Sequence, residues 1–368
     1  MRGTALFLGM FPPRGQTTVI APANVLPPVV TGVGYVGYTL TTTNGSWTGV
    51  PAPTFTYQWQ RNEVDISGAT ASTYAVTLAD EGLRIRCVVT ATNSAGNASA
   101  NSNTIEQWVP TDEGTVAAWY DAYAPATITL ATGVSAWANR GSTASVDMVQ
   151  PTGALQPAYS ATGWDGNRPA LTFDGIDDFL QNTAPAAIAR NAPGVTVAAA
   201  VAPTALAVQR RSIWSVSTAS DATRHRLMLR WLITTNEWIG GGRRLDGDAS
   251  ISITPGLAAS TADRVLTASL DHANDRSRAS RDGVNTAWVS PFRGAGNTSN
   301  TDAERCTLGA ASGAVDSFWD GKIAEVIHYD VTLGDAALAK LQGYLAWRWG
   351  VVANLPAPHP WKTAAPTP

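Results

Sequence analysis

The chain has 368 residues, of which 25 are Lys or Arg and 28 are Asp or Glu, so its formal net charge is −3. Charged residues are only 14 % of the chain, well below the roughly 25 % that is typical of soluble proteins. This balance argues against nucleic acid as a partner, because nucleic-acid-binding surfaces need concentrated positive charge. The length allows two or three domains, each with its own core.

The first 25 residues contain a short apolar run between Ala5 and Phe11, followed by Pro-Pro-Arg-Gly. The run is short for the core of a secretion signal, and it is far below the ~20 apolar residues of a membrane span. We therefore predict that residues 1–25 form a docking arm that attaches the protein to a partner. The residues expected to make the contact are Leu6, Phe7, Leu8, Met10, Phe11 and Arg14.

Residues 26–107 show short alternating runs broken by turn residues, which is typical of an all-β sandwich. In "TYQWQR", Tyr57 and Trp59 fall on one face of a predicted strand. In "LRIRCVVTA", the apolar residues Ile85 and Cys87 alternate with Arg84 and Arg86. Alternation with period two indicates strands that are buried on one face.

These runs resemble an immunoglobulin-like domain. Trp59 matches the buried Trp of the third strand, and "DEGLRIRC" resembles the corner that leads into the sixth strand. The chain departs from the antibody pattern at Ile85, which replaces the corner Tyr, and it lacks a Cys before Trp59. The sequence leaves two alternatives for the only two cysteines, Cys87 and Cys306: a disulfide between them, or two free thiols. The resemblance, which is to the bacterial and phage versions of the module, implies a spacer or a weak adhesion domain.

A linker is predicted at residues 108–114 and a second domain at residues 115–362, followed by a tail at residues 363–368. Two dipeptides, Asp174-Gly175 and Asp282-Gly283, are hairpin signals between β-type segments. Many short strands over this length favour one large sandwich or jelly roll. Leu338, Leu341, Leu345 and Trp349 recur at helical spacing, so we predict one amphipathic helix of about 14 residues that packs on the sandwich.

Several segments of this second domain together resemble the concanavalin A-like lectin/glucanase superfamily, in its laminin-G-like branch. The segments are "AWYDA", "VSAWANRGS", "RPALTFDGIDDFL", "GKIAEVIHYD" and "LAKLQGYLAWRWG". The resemblance implies a lectin-like sandwich. The fold class is therefore predicted as all-β, with an immunoglobulin-like sandwich, a larger jelly-roll sandwich and a C-terminal amphipathic helix.

The stretch "LTFDGIDDFL" carries three aspartates. In the laminin-G-like branch the Phe-Asp-Gly segment is a hairpin feature with or without a ligand, so we assign Asp174 to the turn. Asp177 and Asp178 are candidate ligands of Ca²⁺, because hard cations prefer clustered carboxylate oxygens. Otherwise we expect no cofactor.

Residues 236–248, "NEWIGGGRRLDGD", form the predicted loop whose composition best suits ligand binding. An aromatic platform beside donors and acceptors is what weak sugar recognition uses. The candidate glycan-binding residues are Trp238, Arg243, Arg244, Asp246 and Asp248. Two Arg-rich stretches, residues 224–230 and 274–282, could alternatively clamp an acidic sugar or a phosphate, or they could lie on outward strand faces.

We predict no catalytic residue. A retaining glucanase needs two carboxylates roughly 5 Å apart. The nearest candidates, Glu325 and Asp330, are five positions apart and therefore fall on opposite faces of a regular strand. No nucleophile elbow, phosphate loop or zinc motif is present in the sequence.

The combination of an arm, a disulfide-free immunoglobulin-like module and a lectin-like sandwich resembles accessory proteins of tailed bacteriophages. It implies a non-enzymatic virion surface protein, made in the host cytoplasm, that is a capsid decoration, head fibre or tail fibre. Its partners would be other virion proteins, further copies of itself and a host surface glycan. The alternatives are a bacterial cell-surface or secreted adhesin, which would need an export signal, and a glycoside hydrolase.

Overall fold

The computed structural model describes residues 18–185, 187–204, 211–218, 225–232, 236–248, 251–253, 259–262, 264–311 and 317–368. The chain divides into two compact units. The smaller unit runs to Gly34 and includes Tyr38–Ala75 and Leu83–Ile105, and the larger unit contains Tyr35–Gly37, Val76–Gly82 and Glu106–Pro368. Strands dominate both units, which confirms the predicted all-β fold class.

The smaller unit is built from three sheets, with strand orders β1-β4, β2-β3-β7 and β6-β5-β8-β9. Its nine strands are β1 Ile20–Leu26, β2 Val30–Thr31, β3 Thr39–Thr42, β4 Ser46–Val50, β5 Thr54–Arg61, β6 Val64–Asp65, β7 Thr73–Ala75, β8 Ile85–Asn93 and β9 Gly96–Asn101.

The predicted alternation in the smaller unit is confirmed. Ile85, Cys87 and Val89 are buried, whereas Arg86 between them is partly exposed. Trp59 is fully buried, lies opposite Cys87 in the sheet, and stacks on Tyr74 with 5.4 Å between ring centroids. Cys87 and Cys306 are both free and buried, so hydrophobic burial holds the smaller sandwich without a disulfide.

The first strand begins earlier than the predicted domain. Ile20–Leu26 pairs with Ser46–Val50, so the last residues of the predicted arm belong to a sheet. The docking residues Leu6, Phe7, Leu8, Met10, Phe11 and Arg14 lie outside the described residues.

The larger unit contains two antiparallel sheets and the α-helix α1, Asp335–Arg348. Its strands are β10 Ala118–Asp121, β11 Ile128–Leu130, β12 Val134–Trp137, β13 Met148–Val149, β14 Ala158–Ser160, β15 Ala170–Asp174, β16 Leu180–Asn182, β17 Val195–Pro203, β18 Arg211–Ser217, β19 His225–Leu232, β20 Glu237–Gly242, β21 Ile251–Ile253, β22 Val265–Asp271, β23 Arg276–Arg281, β24 Val284–Asn285, β25 Arg305–Leu308 and β26 Asp320–Tyr329. Short 3₁₀ turns occur at Leu78–Asp80, Pro110–Glu113, Pro125–Thr127, Gly153–Leu155 and Val352–Asn354.

The eight-stranded sheet has the order β14-β15-β26-β17-β22-β23-β24, with β10 also paired to β26. The nine-stranded sheet has the order β11-β12-β13-β16-β25-β18-β19-β20-β21. Contacts such as the hydrogen bond from Trp214 Nε1 to His328 Nδ1, 3.1 Å, join the two sheets. Helix α1 packs against β17 and β22. These strands are therefore buried on both faces, which explains the nearly continuous apolar sequence of β17. In β22 the polar residues Thr267, Ser269 and Asp271 are buried as well.

The helix confirms the sequence prediction in position and length. Leu338, Leu341, Leu345 and Trp349 are all buried, and Arg348 in the last turn is also buried. Gly350, with φ of +69°, follows the helix in the left-handed conformation that ends many helices. Among the described residues, the helical segments are too short or too polar to cross a membrane.

One of the two predicted hairpins is correct. Arg281 pairs with Val284 across Asp282-Gly283, whose φ values of +48° and +79° fit a tight primed turn. The hairpin at Asp174-Gly175 is wrong, because β15 pairs with β14 and β26 whereas β16 belongs to the other sheet. The Asp-Gly pair there turns the chain from one sheet to the other.

The predicted linker and tail are parts of the larger unit. Trp108 is fully buried, and its N–H donates to the carbonyl oxygen of Pro366, 3.2 Å away. Val109 and Pro110 are buried as well. Residues 108–110 and Pro366 therefore pack into the larger unit, whereas most of the remaining residues of both segments are exposed.

Candidate functional site

The structure corrects the role predicted for Trp238. This residue lies in β20, only 1 % of its surface is exposed, and its ring packs against Trp319 with centroids 6.0 Å apart. A buried ring cannot act as a platform for a sugar, so Trp238 is a core residue.

The other residues of the predicted loop mainly hold the loop itself. Arg243 is buried and donates to the backbone oxygen of Asp246. Asp246 also accepts a hydrogen bond from Arg226, 3.2 Å, and Asp248 accepts one from the backbone N–H of Leu245, 2.9 Å.

Arg244, which is partly exposed, donates to the carbonyl oxygen of Arg293, 3.2 Å away. The segment that contains Arg293 is also held by the turn between β22 and β23, where the Asp275 carboxylate accepts the N–H groups of Phe292 and Gly294. Arg244 therefore lies at one end of the sandwich. It does not form one ligand site together with Arg243, which is buried.

Asp174, Asp177 and Asp178 present carboxylate oxygens that lie within 4.8 Å of one another. Asp174 Oδ1 accepts the N–H of Ile176, 2.8 Å, and Asp178 Oδ2 accepts the N–H of Asp174, 2.9 Å. Burial, together with the charges of Asp174 and Asp177, raises the pKa of Asp178 to about 6. The oxygens suit Ca²⁺ in kind, and two of the three carboxylates also stabilise the turn. The Ca²⁺ role of Asp177 and Asp178 stays a prediction.

Glu325, one of the two carboxylates considered for glycoside hydrolysis, is completely buried on β26. Its Oε1 accepts hydrogen bonds from Trp119 Nε1, 2.7 Å, and from the Tyr344 hydroxyl, 2.9 Å. Its Oε2 accepts a hydrogen bond from Trp349 Nε1, 2.7 Å. A carboxylate enclosed by two indoles and a phenol has no approach for a substrate.

Charges around Glu325 form a buried network. Burial and Asp121 raise the pKa of Glu325 to about 7, and Arg348 opposes this shift. Arg348 Nη2 donates to Asp121 Oδ2, 2.6 Å, and Arg140 Nη1 donates to the same oxygen, 2.6 Å. The network connects helix α1 to β10 and β26. Removing one member would leave an uncompensated buried charge, which is strongly unfavourable.

Asp330, the second carboxylate, lies beyond the end of β26. Its Oδ1 accepts the N–H of Ala189, 2.8 Å, and lies 3.0 Å from His328 Nε2. Glu325 and Asp330 therefore do not face each other across a cleft. That the protein has no catalytic residue stays a prediction.

The larger unit carries an open cleft of about 460 Å³ beside the first turn of helix α1. It lies where β22 ends and β23 begins, and where the chain passes from β26 to the helix. We call it the helix cleft, and its walls include Asp271, Asn274, Arg276, Trp288, Thr332 and Asp335.

Two arginine–aspartate pairs shape the helix cleft. Arg276 Nε donates to Asp271 Oδ2, 2.7 Å, and Arg278 Nη1 lies 2.6 Å from Asp335 Oδ1. The guanidinium carbons of Arg276 and Arg278 lie 4.3 and 4.2 Å from the centroid of the Trp288 ring. Such cation–π contacts fix long side chains in place. The cleft therefore offers polar groups whose positions are set before any ligand arrives.

Asn274 completes the polar wall. Its Nδ2 donates to both carboxylate oxygens of Asp271, at 3.0 and 2.9 Å. This arrangement orients its Oδ1 away from Asp271, where it can accept a hydrogen bond. At the opposite wall, Thr332 Oγ1 donates to the carbonyl oxygen of Leu270, 3.1 Å.

A second cleft, of about 350 Å³, lies at the other end of helix α1. Its walls include Trp164, Pro203, Arg264, Lys322 and Gly350. Lys322 Nζ donates to the carbonyl oxygen of Trp164, 3.2 Å. Because Trp164 is buried, this cleft presents less aromatic surface than its composition suggests.

The sequence only partly indicated the helix cleft. Asn274, Arg276 and Arg278 belong to the Arg-rich stretch that we considered for an acidic ligand, and Arg276 does line a cleft. The sequence did not indicate that Trp288 and Asp335 belong to this cleft. Trp288 follows the hairpin after β23 and Asp335 begins the helix, and only the fold brings them to Arg276 and Arg278.

No protein-family model matches this chain, and no curated protein is significantly similar to it in sequence. Among solved structures, it is similar to the Trypanosoma rangeli sialidase with 11 % identity and a TM-score of 0.41, over 84 % of this chain and 48 % of that one. It thus spans about half the length of that protein.

Two further solved structures are similar over parts of the chain. The Ruminococcus gnavus IT-sialidase CBM40 bound to α2,3-sialyllactose shares 16 % identity, with a TM-score of 0.35, over 46 % of this chain and 90 % of that one. The binding domain of botulinum neurotoxin serotype G shares 9 % identity, with a TM-score of 0.42, over 62 % and 50 %. Likeness at this level assigns neither a function nor site residues, and the chain is defined by its own architecture of two all-β units.

Proposed function

We propose that this chain is a non-enzymatic surface protein whose larger unit binds carbohydrate in the helix cleft. The observation that supports the proposal is the set of fixed polar groups around an open cleft, with Arg276 and Arg278 held against Trp288 and paired with Asp271 and Asp335. Concave clefts that combine apolar or aromatic walls with a few oriented polar groups are the usual form of small-molecule sites.

Weak binding at each site fits a protein present in many copies. Multivalent display raises the overall avidity well above the affinity of one site. The helix cleft, with a volume of about 460 Å³, would take the end of a glycan, and the smaller unit would act as a spacer.

A glycan array followed by calorimetry with the best binder tests the carbohydrate proposal. We expect Arg276→Gln to weaken binding at least tenfold, because it removes a donor that is held at the cleft. Arg190→Gln is the matched control, since Arg190 pairs with Asp302 on an exposed surface, at 2.7 Å. Absence of binding to every glycan, or equal loss in both variants, would refute the site.

We also propose that the protein is displayed on a bacteriophage particle, as a capsid decoration or a fibre. The support is the resemblance of the whole domain combination, which begins with a Pro-rich arm and ends in a lectin-like sandwich. Peptide mass spectrometry of purified particles and of host envelope fractions separates the possibilities. Recovery from the particles supports the proposal, and recovery only from the bacterial envelope supports the adhesin alternative.

A further inference from the structure

The charged residues of the helix cleft cancel one another. Arg276 is bound to Asp271, and Arg278 is bound to Asp335. Arg278 lies behind the wall with only 6 % of its side chain exposed, whereas the Asp335 side chain is 82 % exposed. In the other pair the exposed member is Arg276, with 40 % of its side chain exposed against 6 % for Asp271. A ligand therefore meets one positive and one negative group, Arg276 and Asp335, and each guanidinium is already balanced by a carboxylate.

The groups left for a ligand include both donors and acceptors. Arg276 uses Nε for Asp271, and 40 % of its side chain remains exposed. Its two Nη groups make no hydrogen bond within the described part of the chain and can donate. Asp335 keeps Oδ2 as an acceptor beside the Oδ1 that contacts Arg278, and Asn274 keeps its Oδ1.

A sugar hydroxyl both donates and accepts, whereas a carboxylate or a sulfate only accepts. Neighbouring hydroxyls on one ring can therefore satisfy the Arg276 and Asp335 groups together. An acidic substituent would satisfy Arg276 alone and would meet the exposed charge of Asp335. In addition, the Trp288 ring already contacts two guanidinium groups, so recognition depends on hydrogen bonds more than on stacking against that ring.

We propose that the helix cleft selects neutral sugars with neighbouring hydroxyl groups and discriminates against sialylated, uronic-acid and sulfated glycans. This inference rests on the proposed carbohydrate-binding function and names its ligand class. It replaces the acid-clamping role that the Arg-rich stretch alone would indicate, because the two aspartates come from outside that stretch.

The test uses the full chain and matched pairs of ligands, each a neutral oligosaccharide and its sialylated or sulfated form, such as lactose and sialyllactose. We expect the neutral member to bind at least about fivefold more tightly, since the repulsion between two unit charges about 4 Å apart in water corresponds to roughly this factor. The preference should decrease as salt rises, because salt screens exposed charges.

Asp335→Asn removes the exposed negative charge that is expected to repel acidic ligands. We expect this variant to bring the affinities for the two members of a pair close to equality, while Asp302→Asn on the exposed Arg190 pair leaves the ratio unchanged. Circular dichroism verifies that helix α1 is intact. Equal or tighter binding of the acidic member by the unmodified chain would overturn the selectivity, and so would a ratio that Asp335→Asn does not change. Failure of every ligand to bind would instead overturn the carbohydrate-binding function itself.

Discussion

At the scale of single residues, His272 is the group in the larger unit whose burial has the clearest consequence for pH dependence. It begins the turn between β22 and β23 and is fully buried, and neither ring nitrogen has a hydrogen-bond partner among the described residues. Burial, reinforced by the positive charge of Arg244, lowers the pKa of His272 from 6.5 to about 4, and Asp271 opposes this shift. The native state therefore favours the neutral ring.

The sign of the pH effect follows from this lowered pKa. Below pH 6.5 the unfolded chain binds a proton at His272 and the native chain does not, so the free energy of unfolding falls as pH falls from about 6.5 towards 4. We expect His272→Phe to abolish this contribution, so that the free energy of unfolding near pH 4 falls by up to about 3 kcal/mol less than in the unmodified chain. The Phe ring should preserve the packing against Phe292, whose ring centroid lies 5.7 Å from that of His272.

Urea unfolding of both chains at several pH values measures this contribution. Asp178 and Glu325 titrate in the same range with raised pKa values, but they are common to both chains and cancel in the difference. A difference between the two chains that does not grow between pH 6.5 and 4 would show that the native ring is already protonated.

At the scale of secondary structure, apolar periodicity predicted the helix, whereas glycine misled the assignment of β20. The sequence around Gly240 and Gly242 indicates a loop, since glycine usually marks turns. In the structure these glycines lie in β20, which is paired on both sides, to β19 and to β21. A Cβ on Gly240 would lie 2.3 Å from the Cβ of Ala268, and one on Gly242 would lie 2.1 Å from the carbonyl oxygen of Arg226. Glycine is thus required there by close packing, which a single sequence does not reveal.

Helix α1 provides a test in which propensity and packing predict opposite signs. Replacing an interior helical Gly by Ala ordinarily stabilises a helix by about 1 kcal/mol. At Gly343, however, an added Cβ would lie 2.6 Å from Trp361 Cβ and 3.0 Å from Pro366 Cγ. We therefore expect Gly343→Ala to destabilise the chain by about 1–3 kcal/mol, as overpacking does.

Thermal unfolding of the full chain and of a chain that ends at Pro360 separates the two effects. In the shorter chain the clashing residues are gone, and Gly343→Ala should stabilise it relative to the same chain with Gly. Stabilisation in the full chain as well would mean that residues 361–368 do not pack on the helix.

At the scale of the whole molecule, local patterns led to a prediction of two β domains but gave no indication of the helix cleft. Strand alternation and turn residues are local, so they predicted β-sandwiches at residues 26–107 and 115–362. The cleft combines Asp271, Trp288 and Asp335, which three different connections bring together. Its charge balance likewise depends on pairs such as Arg278 with Asp335, 57 positions apart in the sequence. Rules that recognise metal or catalytic motifs by the spacing of residues in the sequence therefore could not predict this cleft.

The proposed display on a particle leads to a prediction about the residues that precede β1. Because Ile20–Leu26 pairs with Ser46–Val50, removing the whole predicted arm would also remove a strand of the smaller unit. Deleting only residues 1–17 leaves this pairing intact. We expect the shortened chain to keep its unfolding temperature and its glycan affinity but to lose incorporation into particles.

A full-length variant with Ser in place of Leu6, Phe7, Leu8, Met10 and Phe11 distinguishes apolar docking from chain length. It should also fail to incorporate, because apolar contacts supply most of the free energy of such association, while Arg14→Gln should have the smaller effect of one exposed charge. Both are measured by the protein content of purified particles after complementation. Normal incorporation of the deleted chain would place the attachment in another part of the molecule and would exclude the arm as its anchor.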